Sequence, residues 1–353
     1  MSAAPRRFFS ALPARMALRT AGWICAAFLL IALPALAQTP PKEDEHAATF
    51  EIHVAPVKGF DLREPERRVF GALTFRGGIE LNSHQPGFGG LSSIRLFDGG
   101  TRFVIISDRG RWLRGRLNYD GERLASLSHV EIAPMLGEDG KPLALKGWFD
   151  TESLADDGGI FYVGIERVNQ IVRFDFGKDG FAARGKAIDV PPQIKKLPYN
   201  KGLEAMTFVP RNLPLGGTLI AISERGLDEA GNIMGFLIGG PSPGMFTVAR
   251  TDDFEITEAA VTPQGDLLIL ERSFSLLKGA GMRIRRAPLK DIKPGAVIKG
   301  EVLFEADRNY MIDNMEGLAV HTAANGDTVL TLLSDDNFNP LQRILLLQFT
   351  LTR

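Results

Sequence analysis

Acidic side chains recur along this chain in a pattern suited to holding a metal ion or to moving protons. Five short segments open alike: Leu91-Ser92-Ser93-Ile94, Thr151-Glu152-Ser153-Leu154, Leu203-Glu204-Ala205-Met206, Thr257-Glu258-Ala259-Ala260 and Met315-Glu316-Gly317-Leu318. Each is followed by a polar or Gly-containing turn and then by an apolar run. The runs also end alike, on Asp108-Arg109, Glu166-Arg167, Glu224-Arg225, Glu271-Arg272 and Asp335-Asp336. Carboxylates are hard oxygen ligands, and Ca²⁺ takes roughly six to eight of them. Crowded carboxylates cannot all stay ionised unless a cation or a raised pKa relieves them. Arginine offers a fork that grips oxyanions in bidentate fashion. Two readings follow. The arginines tie each repeat to an acid of its neighbour, or Arg109, Arg167, Arg225 and Arg272 clamp a substrate anion while the surplus acid binds a cation. The two are compatible.

The places where the repeat breaks sharpen the candidate set. Repeat one has Ser92 in place of Glu, and repeat five has Asp336-Asn337 where the others have Arg. Its run Ser334–Pro340 offers side-chain oxygens at Asp335, Asn337 and Asn339, a spacing suited either to a Ca²⁺ loop or to Asx-turn capping. It is no EF-hand, because Pro340 stands where the turn Gly belongs and Leu346 where the bidentate Glu belongs. Candidate metal ligands are Asp108, Glu152, Glu204, Glu258, Glu316, Asp335 and Asn337. Glu204 and Glu316 are candidate acid–base residues, and so is His84, which lies in a Gly-rich loop leading into the first repeat. His53, His129 and His321 fall in strands and read as structural. Gly240-Pro241-Ser242-Pro243-Gly244 matches the hydrolase string G-x-S-x-G but fails on mechanism. Pro243 has no N–H to donate to an oxyanion hole, so the segment reads as a surface turn. No Walker A loop and no G-x-G-x-x-G is present, so no nucleotide cofactor is expected.

Strands must position these residues. The apolar runs FVIIS, IFYVGI, LIAIS, LLIL and VLTLL are short, rich in branched residues and bounded by turn signals. A third strand follows at Trp112–Asn118, Gln170–Phe176, Met282–Ala287 and Arg343–Leu351, and a fourth at His129–Ala133, Ala187–Val190 and Val297–Phe304. Four strands in each of five repeats predict an all-β chain, a β-propeller. The last repeat lacks a strand, which Phe50–Val54 or Val69–Phe75 supplies to close the ring. Arg68–Ser83 leaves open whether there are five blades or six. In a hairpin the start of one strand lies beside the end of its partner. Every blade is therefore expected to deliver its opening residue and its acid–Arg pair to one rim of the central channel.

Composition sets the outer limits. With 353 residues, 41 Lys+Arg and 42 Asp+Glu, the chain lacks the basic excess of a nucleic-acid binder. Residues 1–37 read as a cleavable signal peptide: four arginines with no acid, an apolar run from Trp23 to Leu33, and Ala35-Leu36-Ala37. Arg6-Arg7-Phe8-Phe9 is a partial twin-arginine start, so the route is Sec or Tat and the destination the periplasm or the medium. The apolar run is short for a membrane span, and no transmembrane segment is expected after cleavage. The sole cysteine, Cys25, leaves with the signal, so no disulfide, Fe–S cluster or Cys nucleophile is expected; nor is haem. Residues 38–48 read as a flexible leader and 49–353 as a single domain.

The stretches Phe88-Gly89-Gly90-Leu91-Ser92, Ser107-Asp108-Arg109-Gly110, Ala249–Phe254, Asp313–Gly317 and Ser334–Phe338 with Gln342-Arg343 resemble the "esterase-like activity of phytase" family of exported propeller proteins. That resemblance implies a phytase-like propeller from about Arg68 to Phe349, ester or phosphate-ester hydrolysis, and Ca²⁺ bridging carboxylates to substrate phosphates. The expectation is an exported hydrolase acting on a small-molecule ester or phosphoester with Ca²⁺. The alternatives are a non-catalytic propeller that binds a ligand or partner at the same rim, and a lactonase-type metal hydrolase.

Overall fold

Runs of branched and aromatic residues, alternating in direction with a period of two, fold into five small antiparallel sheets set around an axis. The computed structural model describes residues 47–352. The proposed signal peptide, Cys25, His46 and most of the leader lie outside the described residues. The innermost strands of blades one to five are Leu91–Phe97, Thr151–Asp157, Leu203–Phe208, Glu255–Val261 and Asn314–Thr322. Their partners are Arg102–Ser107, Ile160–Ile165, Thr218–Leu227, Asp266–Ser275 and Thr328–Asp335. Third and fourth strands complete every blade. The protein is a five-bladed β-propeller.

The segment Arg68–Ser83 forms no sixth blade. Its strand Leu73–Asn82 pairs with Ile344–Leu351 and becomes the fourth strand of blade five, so the N-terminal part of the domain closes the ring onto the C-terminal part. His53–Val57 adds a further strand outside it. The expected strand Val297–Phe304 is divided at Lys299-Gly300. Val297–Ile298 joins blade three and Glu301–Ala306 joins blade four, because a Gly with φ near 70° turns the chain there. Blade three completes itself with Ile233–Gly239 and Gly244–Val248, and the G-x-S-x-G string is the hairpin turn between them.

One apolar cluster fills each of the five interfaces between blades. Leu332 and Leu333 show why: adjacent on one strand, they point to opposite faces and enter the clusters toward blades four and one respectively. At the closure, Phe60 packs against Phe70 (5.0 Å between ring centroids), Phe349 (4.9 Å) and Tyr310 (5.2 Å). Among the described residues no helix is long and apolar enough to cross a membrane.

A charged residue crosses the axis. Arg95 lies on the innermost strand of blade one, where the other blades carry Ala155, Thr207, Ala260 and Ala319. Those small residues leave room for its guanidinium. It donates to the carbonyls of Ile94 (2.6 Å), Leu154, Met206 (2.5 Å) and Leu318 (3.4 Å), and pairs with Glu258 Oε2 at 3.1 Å. One side chain thus touches all five blades. Glu258 is fully buried, also accepts from Ser93, and is pushed up to about 7 by burial, with Arg95 pulling it back. Replacing one member of a buried ion pair strands the other charge. Arg95→Met is expected to cost about 3–5 kcal/mol in urea unfolding, and Arg95→Met with Glu258→Gln to recover much of that loss.

Candidate functional site

Each innermost strand begins with a β-bulge, which decides what the mouth of the channel receives. The pairs Leu91–Ser107, Thr151–Ile165, Leu203–Ser223, Ile256–Glu271 and Met315–Ser334 are equivalent, and one residue is skipped after the first member of each. The skipped residues are Ser92, Glu152, Glu204, Thr257 and Glu316. The residues just past the paired ends are Asp108, Glu166, Glu224, Arg272 and Asp335. Blades two, three and five thus follow the sequence pattern, and blade one does so with Ser92.

Blade four does not. Its string is displaced by one residue, and a one-residue slip in a strand reverses which face a side chain meets. Glu258 falls one position deeper and pairs with Arg95 instead of joining the mouth. Glu271 turns into the sheet, where it accepts from Arg283 Nε (2.7 Å) and Arg285 Nε (2.9 Å). Arg272 takes the place held by an acid in the other blades.

Seven carboxylates, those of Asp108, Glu152, Glu166, Glu204, Glu224, Glu316 and Asp335, therefore stand at these strand ends, and three of them, Glu316, Glu204 and Glu224, act on the guanidinium of Arg272. Arg272 donates to Asn314 Oδ1 (2.6 Å), to Glu316 and to Glu224 Oε1 (3.2 Å), which joins blades three, four and five. Lys201 reaches Glu224 Oε2 at 2.7 Å and Glu255 at 3.6 Å, and Arg225 reaches Glu255 at 3.0 Å. On this side the arginines do tie neighbouring blades together. On blades one and two they stand at the mouth against aromatic rings. Arg109 lies 3.3 Å over Phe338, and Arg167 lies 4.2 Å over Phe149 with Asp150 at 3.6 Å.

The side chains of the remaining candidates do not join the cluster. Asn337 is exposed; its backbone N–H donates to Asp335 Oδ1 (3.0 Å) in an Asx turn, and its side chain faces Gln342. His84 is exposed on its loop and makes no hydrogen bond or ion pair to these carboxylates. Gly90 explains a motif of the first blade. Its φ is near 59°, and a Cβ there would strike Asp108 and Phe338. Sequence reasoning did not single out Arg95, Asp150 or Glu255. A lone Arg in an apolar innermost strand, opposite small residues in every other repeat, was the available signal for the first.

Burial raises every acid of the cluster. Asp108 is pushed up to about 8 and Glu166 to about 7, in each case by desolvation first. Glu152, Glu204 and Asp335 stand well above the usual carboxylate range through burial and then the neighbouring acids. Glu316 is raised by burial against the pull of Arg272. Glu166, Glu204 and Glu224 each offer an oxygen within 4.8 Å of the others, and an all-oxygen set of this kind fits a hard divalent cation. Asp108 Oδ1 is buried without a hydrogen-bond partner. Acids whose folded pKa is raised stabilise the fold below their unfolded pKa, and that stability is lost as pH rises through the folded value. In EDTA, Tm is expected to fall between about pH 5 and pH 8. Calorimetric scans with excess Ca²⁺ should show a smaller fall.

Comparison with solved structures gives distant likenesses. Glutaminyl cyclase of Myxococcus xanthus is 11% identical with a TM-score of 0.40, over 75% of this chain and 92% of that one. An endo-arabinase of Bacteroides thetaiotaomicron is 10% identical with a TM-score of 0.43, over 73% and 92%. The tail fibre of Staphylococcus aureus phage P68 is 12% identical with a TM-score of 0.39, over 79% of this chain and 52% of the fibre chain. No curated protein matches. The family model described as "Phytase-like: Esterase-like activity of phytase" matches residues 86–338, which cover blades one to four and the two inner strands of blade five, and the chain belongs to that family.

Proposed function

We propose that the protein is an exported hydrolase of a phosphate or other small-molecule ester, assisted by Ca²⁺ at the mouth of the propeller. The observation that carries this reading is the crowding of buried carboxylates beside two arginines, Arg109 and Arg167, that lie over aromatic rings. Arg109 and Arg167 are backed by rings and placed to receive an anionic group of the substrate. Glu204 and Glu316 are buried carboxyls raised by desolvation, the direction that suits a carboxyl to general acid–base work. Arg272 holds Glu316 in place through its hydrogen bond. Glu166, Glu204 and Glu224 would hold the cation, which would polarise the ester oxygen and make water a better nucleophile. The signal-like first 37 residues support export.

Phosphomonoesters, phytate, p-nitrophenyl acyl esters and lactones form the test panel, each assayed with Ca²⁺ and with EDTA. Glu316→Gln is expected to lower kcat/KM for the accepted substrate by about a hundredfold or more. Arg109→Gln should raise KM for an anionic substrate more than it lowers kcat. Turnover unaffected by Glu316→Gln would move the chemistry elsewhere, and absence of turnover on the whole panel would leave a binding propeller.

A further inference from the structure

The three carboxylates close enough to share one cation are not equally available. Glu166 accepts from the backbone N–H of Gly202 at 2.7 Å through Oε1 and, among the described residues, carries no ion pair to a basic side chain. Glu224 is engaged at both oxygens, Oε1 by Arg272 and Oε2 by Lys201. These two cations differ in kind. Arg272 is a quarter exposed but tied at once to Glu224, Glu316 and Asn314, a planar fork with fixed partners. Lys201 is one-third exposed and holds Glu224 through a single ammonium on a flexible stem. Its other partner, Glu255, lies further out and is held independently by Arg225. An ammonium released from Glu224 therefore still has an acid beside it.

We propose that Lys201 is a tethered, displaceable counter-cation: it neutralises Glu224 when no metal is bound, and it yields the Oε2 oxygen when a divalent cation enters the triad. The inference rests on the metal reading given above and adds a residue which that reading does not use. A unit positive charge a few ångströms from a divalent ion opposes its binding strongly in a buried setting. Lys201 thus sets the affinity of the site and favours divalent over monovalent ions, since only a higher charge repays the lost ion pair.

Two measurements on the full-length domain test this. Calorimetric titration with CaCl₂ is expected to show Lys201→Gln binding about tenfold tighter or more than the wild type. Lys201→Arg should bind no tighter than the wild type. Amine-reactive labelling read by mass spectrometry should show Lys201 protected in EDTA and modified several-fold faster in Ca²⁺, with Lys299 as an internal reference. Binding by Lys201→Gln alone, with none by the wild type, would also support the proposal. Equal or weaker binding by Lys201→Gln, or labelling indifferent to Ca²⁺, would overturn it while leaving the metal reading intact. Binding by neither protein would overturn both, and the hydrolysis panel would then judge the esterase reading by itself. Lys201 is partly exposed and outside the core, so the Gln variant is expected to fold.

Discussion

Like charges drawn together by circular symmetry repel one another, and most of the unusual features of this propeller answer that repulsion. Five innermost strands converge on one axis, and three of the five β-bulges deliver a Glu to the same mouth. The next strand adds an acid in four blades. A ring with acids at every position would have nothing to balance it. Blade four breaks the symmetry by presenting Thr257 and Arg272, and its guanidinium binds the acids of the blades on either side.

The same displacement of one residue provides for the axis below. Glu258, moved inward, meets Arg95, whose guanidinium gathers carbonyl groups from the other four blades. A buried charge is tolerated only when its hydrogen-bonding capacity is met, and here the strands themselves meet it. Glu271, moved outward, needs partners in the sheet and finds Arg283 and Arg285. Arg283 in turn reaches Thr251 and Asp252 and lies over Phe254, which gives the Ala249–Phe254 motif a structural purpose.

Charge is distributed unevenly around the mouth as a result. Lys201, Arg225 and Arg272 are ion-paired on the side of blades three to five, whereas beside blades one and two Arg109 rests on an aromatic ring and Arg167 on another, with Asp150 at 3.6 Å. Rings hold a guanidinium by its face and leave its N–H edge directed outward.

The amino-acid sequence by itself determined the architecture and the convergence of Glu152, Glu204, Glu316, Asp108 and Asp335, because turns, apolar runs and strand ends are local and repeat in register. It also carried the family motifs and the turn at Gly240–Gly244. Tertiary structure decided the rest. Whether Arg68–Ser83 makes a blade depends on a partner strand some 270 positions away, at Ile344–Leu351. Whether Glu258 or Thr257 faces the mouth depends on where a bulge falls, and aligned strings do not reveal a one-residue change of face. Asn337 shows the same limit, since its oxygen-rich spacing suits a ligand and an Asx turn alike. The meeting of Arg95 with five strands has no local signature, because its room is made by small residues on four other blades.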